Sequence, residues 1–412
     1  MAGTVVTIAQ DALHPAITHD ATRRMLTGTG LPQGSALMRF DPLRGGRMPL
    51  ARDLLTAEAD PAELDPRVAR LVFLGHVEIR EEVTQKVVLD GDTGRVFTLH
   101  MWEDSPRHTK LFPLAPSLWD LARFLEAVED FEARRGPFRY LAGRFGPEVV
   151  KEASRALLSV FTGTDWGSGD WGSVGDPAGR EHPVPVFWRI AALIRPLALI
   201  AGPGDGLRLD LPRHVLEEAF GADQIVRVAP EELPEELVHE PTRCFLTEVE
   251  LPRGGLMFGL DGEEDDLLRP LPEVDARYRA MPELRHLFRA PESADHLPAD
   301  ADRLLVIGGL IHDLDVLLDG RTGEVLYGQL GDSAVTPVNA DVSTLAFTVW
   351  MHHREQALNE EHDFTQDFYH ELAETMIGVL ASLDPVACLS AEGADDFRYW
   401  PEVFHDVAGG VL

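Results

Sequence analysis

The segment THDATRRMLTGTGLPQG, which begins at Thr18, is answered by VHEPTRCFLTEVELPRG, which begins at Val238. At a constant offset of 220 residues, His19, Thr22, Arg23, Leu26, Thr27, Leu31, Pro32 and Gly34 recur as His239, Thr242, Arg243, Leu246, Thr247, Leu251, Pro252 and Gly254. One such pair of windows could arise by accident, but collinear matches elsewhere argue against it. VVLDGDTGRV from Val87 pairs with VLLDGRTGEV from Val316. EASRALLSVFTGTD from Glu152 pairs in pattern with ELAETMIGVLASLD from Glu371, which sets Asp165 opposite Asp384. FWRIAALI from Phe187 answers more weakly to YWPEVFHDV from Tyr399. The order is the same in both halves, and the period is too long for a solenoid unit. The chain therefore reads as two related domains in tandem, 1–205 and 206–412, joined near the Gly- and Pro-rich AGPGDG from Ala201.

In each copy a strand-like stretch enters an LP-x-G turn. Pro32 or Pro252 fixes φ and removes a donor, and Gly34 or Gly254 permits a φ that other residues disfavour. The Thr and Arg of this stretch read as structural, Thr as a strand former and Arg laid along a sheet edge. Leu37, Met38 and Phe40, or Leu256, Met257, Phe258 and Leu260, then read as a buried strand. RLVFLGHVEI from Arg70 and RLLVIGGLIHDLDVLLD from Arg303 are apolar, β-rich runs whose glycines suggest a bulge or a close backbone approach. The Asp-Gly-x-Thr-Gly loops at Asp90–Gly94 and Asp319–Gly323, flanked by apolar strands, predict hairpins in equivalent places. Ser117 N-caps an amphipathic helix with Leu118, Leu121, Phe124, Leu125 and Val128 on one face, and DVSTLAFTVWMHHREQ from Asp341 takes its place in the second copy. Helices are also expected over GPEVVKEASRALLSVF from Gly146 and FTQDFYHELAETMIGVLASL from Phe364. Strands first and helices after predict an α+β fold, each copy a mostly antiparallel sheet with flanking helices. The Gly-, Ser- and Asp-rich stretch from Thr162 reads as a loop, with Trp166 and Trp171 either packed back onto the domain or offered to a partner.

Charge divides the copies. Residues 1–205 hold 23 Lys+Arg and 27 Asp+Glu, a net of −4, whereas residues 206–412 hold 14 and 42, a net of −28. The first domain is near-neutral and the second strongly acidic. Such a chain repels nucleic acid and anionic membrane, both of which are bound mainly through Lys and Arg, and it could steer a basic protein partner. The alternative is that the charge serves solubility alone, which leaves its one-sided distribution unexplained. The longest apolar stretch, IAALIRPLALIAG from Ile190, is broken by Arg195 and Pro196 and falls short of the ~18 residues a membrane span needs. The N-terminus lacks the basic and apolar regions of a signal peptide. Cys244 and Cys388 are isolated thiols without a CxxC partner, which fits a cytoplasmic setting and predicts neither a disulfide nor a structural metal.

No stretch carries a recognised catalytic or metal-binding motif. MHHREQALNEEHD holds His352, His353, Glu355, Glu360, Glu361, His362 and Asp363, but no HExxH and no two His at i, i+4. His312, Asp313 and Asp315 lie in a β-like run whose alternation points His312 away from Asp313. Glu263–Asp266 lacks the spaced ligands and central Gly of a calcium loop. There is no GxSxG, no Walker A and no GxGxxG after a strand. No catalytic residue, metal or cofactor is assigned.

The LP-x-G turn, the glycine-containing strand, the LDGRTGEV-type hairpin and the capped helix after VNADVSTLAF at Val338 together resemble the SUKH immunity-protein superfamily. The resemblance is to its fourth group, common in actinobacteria, and the excess of 34 Arg over 3 Lys fits a GC-rich genome of that kind. The first copy departs from the pattern at LAPSLWDLARF, which has no Asn. The resemblance implies two tandem domains of α+β fold, no enzyme activity, and a role in neutralising a cognate polymorphic toxin, often a nuclease or nucleic-acid deaminase. An intracellular protein-binding adaptor of the same fold and an unrecognised hydrolase are the other readings; the last would require perturbed carboxylates or histidines in a closed pocket. If the toxin is basic, the candidate partner-binding residues are Glu263, Glu264, Asp265, Asp266, Asp313, Asp315, Asp332, Glu360 and Glu361 in the acidic copy.

Overall fold

The computed structural model describes residues 5–46, 48–80, 82–164, 166, 184–255, 258–260, 267–281, 297–298, 300–311, 314–329, 333–388 and 398–410. They form two compact units, residues 1–142, 152–193 and 367–375, and residues 143–151, 194–366 and 376–412.

The first unit is built on an antiparallel sheet of β3 (Met38–Arg39), β4 (Val72–Ile79), β5 (Glu82–Leu89), β6 (Val96–His100) and β7 (Lys110–Ala115), neighbours in that order. A separate ribbon pairs β1 (Val5–Val6) with β2 (Leu31–Pro32). In the second unit the ribbon is β8 (Ile225–Val226) with β9 (Leu251–Pro252). Its main sheet runs β10 (Gly254–Gly255), β11 (Phe258–Gly259), β13 (Leu304–Leu310), β14 (Leu314–Asp319), β15 (Val325–Gln329) and β16 (Thr336–Asn339), with β12 (Arg269–Pro270) also paired to β13. Each expected hairpin loop joins equivalent strands, Asp90–Gly94 between β5 and β6 and Asp319–Gly323 between β14 and β15.

Alternation along the strands gives each sheet two faces. Phe73, Val88 and Phe97 stand in register across the first sheet and pack under Ala51, Leu64, Val68 and Leu71. Val306, Leu317 and Leu326 make the same row in the second and pack under Leu271, Val274 and Ala301. The helix Leu118–Glu132 buries the five residues expected from its spacing, and its N-cap Ser117 accepts from Asp120 N. Asp341 caps the corresponding helix Val342–His362 through Ser343 N and Thr344 N. Helices Pro147–Thr162 and Thr365–Leu383 also form where expected. Each sheet ends on a strand interrupted by proline, Pro113 opposite Phe97 and Pro337 opposite Leu326. Proline has no N–H to offer, so both edges are poor templates for an added strand.

The repeated motif departs from its expected secondary structure. The repeated stretch before the LP-x-G turn is helical, not strand-like: Asp20–Arg24 runs into a wider turn at Met25–Thr29, and Glu240–Glu248 is its counterpart. Thr22, Met25 and Leu26 are buried, as are Thr242, Phe245 and Leu246, so the apolar positions fall at helical spacing. Burial of that face overrides the strand preference of Thr.

Candidate partner-binding surface

The duplicated motif is a docking joint. His19 N and Thr18 N both donate to Gly91 O at 2.9 Å; His239 N and Val238 N donate to Gly320 O at 2.9 and 2.8 Å. The His19 ring lies over the next glycine of the same hairpin loop, with Nδ1 2.9 Å from Thr22 Oγ1, and the His239–Thr242 contact is 2.8 Å. Arg23 Nη1 donates to Ile17 O at 2.8 Å, and Arg243 Nη1 to Leu237 O at 2.9 Å. These arginines therefore tie down the chain entering the helix and do not lie along a sheet edge. Every repeated polar residue of the motif is consumed by the fold, so recognition has to come from elsewhere.

Of the acidic candidates, Glu263, Glu264, Asp265, Asp266, Asp313 and Asp332 lie outside the described residues, as do His312, Asp165 and Trp171. Asp315 is half-buried on β14, opposite Gly309 and Gly328. Glu360 and Glu361 are exposed in the last turn of the helix Val342–His362. Two acids at that end oppose the helix dipole, at roughly 0.3–1 kcal/mol each, so helix stability does not account for them. Asp315 on β14 and this pair at a helix end stand on different elements. Trp166 packs back: its Nε1 donates to Phe161 O at 3.0 Å and its ring stacks on Phe124 at 5.9 Å.

Among the described residues, the exposed aromatics belong to the first unit. Trp102 and Trp119 each leave more than half their surface in water, and Tyr140 is exposed as well. Exposed tryptophans are strong anchors for protein partners. Trp119 was detectable in the sequence, because it stands off the apolar face that begins at Leu118. Trp102, in the loop after β6, carries no such signal.

Among the described residues, the strongly perturbed ionisable groups lie in separate places. In the first unit Glu371 is buried, raised to about 7 by desolvation, and accepts from Thr84 Oγ1. In the second unit burial raises Glu355 to about 7 and lowers His352 to about 4. Glu355 and His352 lie one turn apart on the helix Val342–His362, where the ring of His352 stacks on Phe404. Among the described residues no group of three His, Cys, Asp or Glu could hold a metal ion, and no helix is long and apolar enough to cross a membrane. Cys244 and Cys388 are free thiols.

The model of the SUKH-4 immunity protein family matches residues 1–165 and again residues 211–406. The chain belongs to the SUKH-4 immunity protein family. The two matches show tandem SUKH-4 regions, and the mixed helix and antiparallel sheet fits them. Comparison with curated proteins and with solved structures found no match. The family is one of immunity proteins, generally non-enzymatic, which act by binding a toxin partner.

Proposed function

We propose that this chain is a non-enzymatic immunity protein that binds and neutralises a cognate toxin acting on nucleic acid, a nuclease or nucleic-acid deaminase, in the cytoplasm. The observation that carries this reading is the SUKH-4 match in both repeats. The charge supports a basic partner. A toxin that holds phosphates needs a positive surface, and residues 206–412 carry 42 acidic against 14 basic residues. In this reading 206–412 is the recognition domain, with Glu263, Glu264, Asp265, Asp266, Asp313, Asp315, Asp332, Glu360 and Glu361 as its contacts. The domain 1–205 adds Trp102 and Trp119 as less electrostatic anchors.

Full-length chain used as bait at low salt should capture a strongly basic protein. Expressed alone, that protein should arrest growth, and co-expression with this chain should restore it. Substituting Glu263, Glu264, Asp265 and Asp266 by Gln and Asn, together with E360Q and E361Q, should slow association several-fold at low salt and much less at high salt. A captured partner that is harmless when expressed alone would count against the immunity role. An association rate indifferent to salt and to these substitutions would count against the acidic surface.

A further inference from the structure

Residues 367–375, the start of the helix Thr365–Leu383, belong to the first unit and bring three acids onto its sheet. Asp367 pairs with Lys110 of β7, Glu374 with Arg80 in the turn after β4 at 3.3 Å, and Phe368 meets Phe112 at 4.9 Å between ring centroids. Between the two ion pairs lies Glu371, fully buried, accepting from Thr84 Oγ1 and within reach of Gln85. The sheet beneath is polar along one row. His100 is opposite Lys110, and one step beyond the Lys86–Leu99 pair Gln85 lies beside His100. Counting from the shared hairpins and N-caps, the second sheet has Leu314, Gln329 and Ala334 in these places.

Two features single out Glu371. The neighbouring cations are already engaged: Arg80 by Glu374, Lys110 by Asp367, and Lys86 by Glu103 at 2.9 Å. Gln85 Oε1 is buried without a donor among the described residues, although Gln85 is in hydrogen-bond reach of the carboxyl. An ionised Glu371 can only accept; a protonated one has an O–H to give to that oxygen. The Thr84 and Gln85 side chains each favour the carboxylate, but burial outweighs them, so the closed segment keeps the neutral acid.

We propose that Asp367–Thr375 is a proton-linked latch on the first sheet, held closed when Glu371 is a neutral acid bonded to Thr84 and Gln85 and loosened when that carboxyl ionises. Burial raises Glu371 from 4.5 to about 7. The closed segment then binds a proton that the open segment has lost between those values. Opening is therefore favoured up to tenfold per pH unit from about 4.5 to 7 and levels off above 7. His100 works the other way. Burial and Lys110 lower it from 6.5, so its contribution is lost as pH falls below that value.

The test is amide hydrogen exchange of residues 367–375 in the full chain from pH 5 to 8, corrected for intrinsic rates. In the wild type against E371Q, the His100 contribution is common to both and cancels. The ratio of opening constants, wild type over E371Q, should rise by one to two decades from pH 5 to 7 and then flatten. T84V removes a bond that lowers the Glu371 value, so it should move the midpoint of that rise to higher pH. A ratio constant across the range would overturn the latch. If E371Q does not fold, a wild-type and T84V pair with superimposable pH profiles would overturn it equally.

Discussion

The two units share a scaffold and differ in what fills the corner behind the N-cap of their principal helix. In the second, Trp400 Nε1 donates to Asn339 Oδ1 at 2.9 Å, and Asn339 Nδ2 reaches Asp384 Oδ2 at 3.1 Å and Thr348 Oγ1 at 3.2 Å. Counting from the shared caps Ser117 and Asp341, the first unit has Ala115 for Asn339 and Phe124 for Thr348. Trp188, the counterpart of Trp400, donates at 2.7 Å to Leu114 O, and the space is filled by Phe124 and Phe161 around its ring. One corner is a closed polar network and the other an aromatic cluster. Either solution works because the indole N–H finds an acceptor in both.

The same count sets His352 and Glu355 of the second helix where the first has Val128 and Phe131, all four buried. An ionisable group in an apolar site costs stability unless it is neutral. The second unit thus turns two titratable groups inward from its principal helix, and the first answers pH through Glu371 and His100 instead. A repeat can keep its backbone joints while exchanging the chemistry of its core.

The harshest way to break the comparison is at the joint both units share. A Cβ on Gly91 would stand 2.1 Å from Ala16 O, and one on Gly320 2.4 Å from Glu236 O, both backbone atoms. G91A and G320A should each destabilise their unit by about 3 kcal/mol or more, read by urea unfolding followed by tryptophan fluorescence. If one unit tolerates the change, the joints are not equivalent. The corners separate the units next. N339A leaves the Trp400 N–H and the Asp384 carboxylate short of partners and should cost about 2–3 kcal/mol. W188F should cost about 2 kcal/mol, because it orphans a backbone carbonyl and leaves a void beside Phe124 and Phe161. The last change has the most specific signature, because it stabilises. Glu355 has its ordinary value at 4.5 when unfolded and about 7 when folded. It therefore costs stability progressively from pH 4.5 to 7 and by a constant amount above. E355Q should stabilise the second unit by about 2 kcal/mol at pH 8, with the gain vanishing near pH 4.5. His352, lowered from 6.5 to about 4, opposes this below 6.5 and is unchanged in the variant. A gain that does not depend on pH would assign the effect to packing.

Much of the fold was legible because it rests on local rules. The duplication needs only a comparison of the chain with itself. The Asp-Gly-x-Thr-Gly loops are marked by glycines at φ +78 in both copies, Gly94 and Gly323, a conformation that side chains resist. The capped helices announce themselves by period and by Ser117 or Asp341. The repeated motif reads as a strand because its Thr residues speak for β, and only the burial of Thr22, Met25 and Leu26 together selects the helix. The acidic candidates followed from net charge, which says how many charges a half carries and nothing about where they gather. Of the candidates within the described residues, Glu360 and Glu361 are exposed and Asp315 is half-buried.

The amino-acid sequence by itself determined the tandem plan, the hairpins, the caps and the acidity of the second half, because each depends on residues close together or on composition. Tertiary structure alone decided which polar residues are consumed by the fold and which carboxyl is sealed. Thr84 and Glu371 meet across 287 residues, and a contact of that span leaves no periodic trace in the chain. The ionisation of Glu371 is set by the desolvation that this contact imposes, so it exists only once the segment 367–375 has closed over the first sheet.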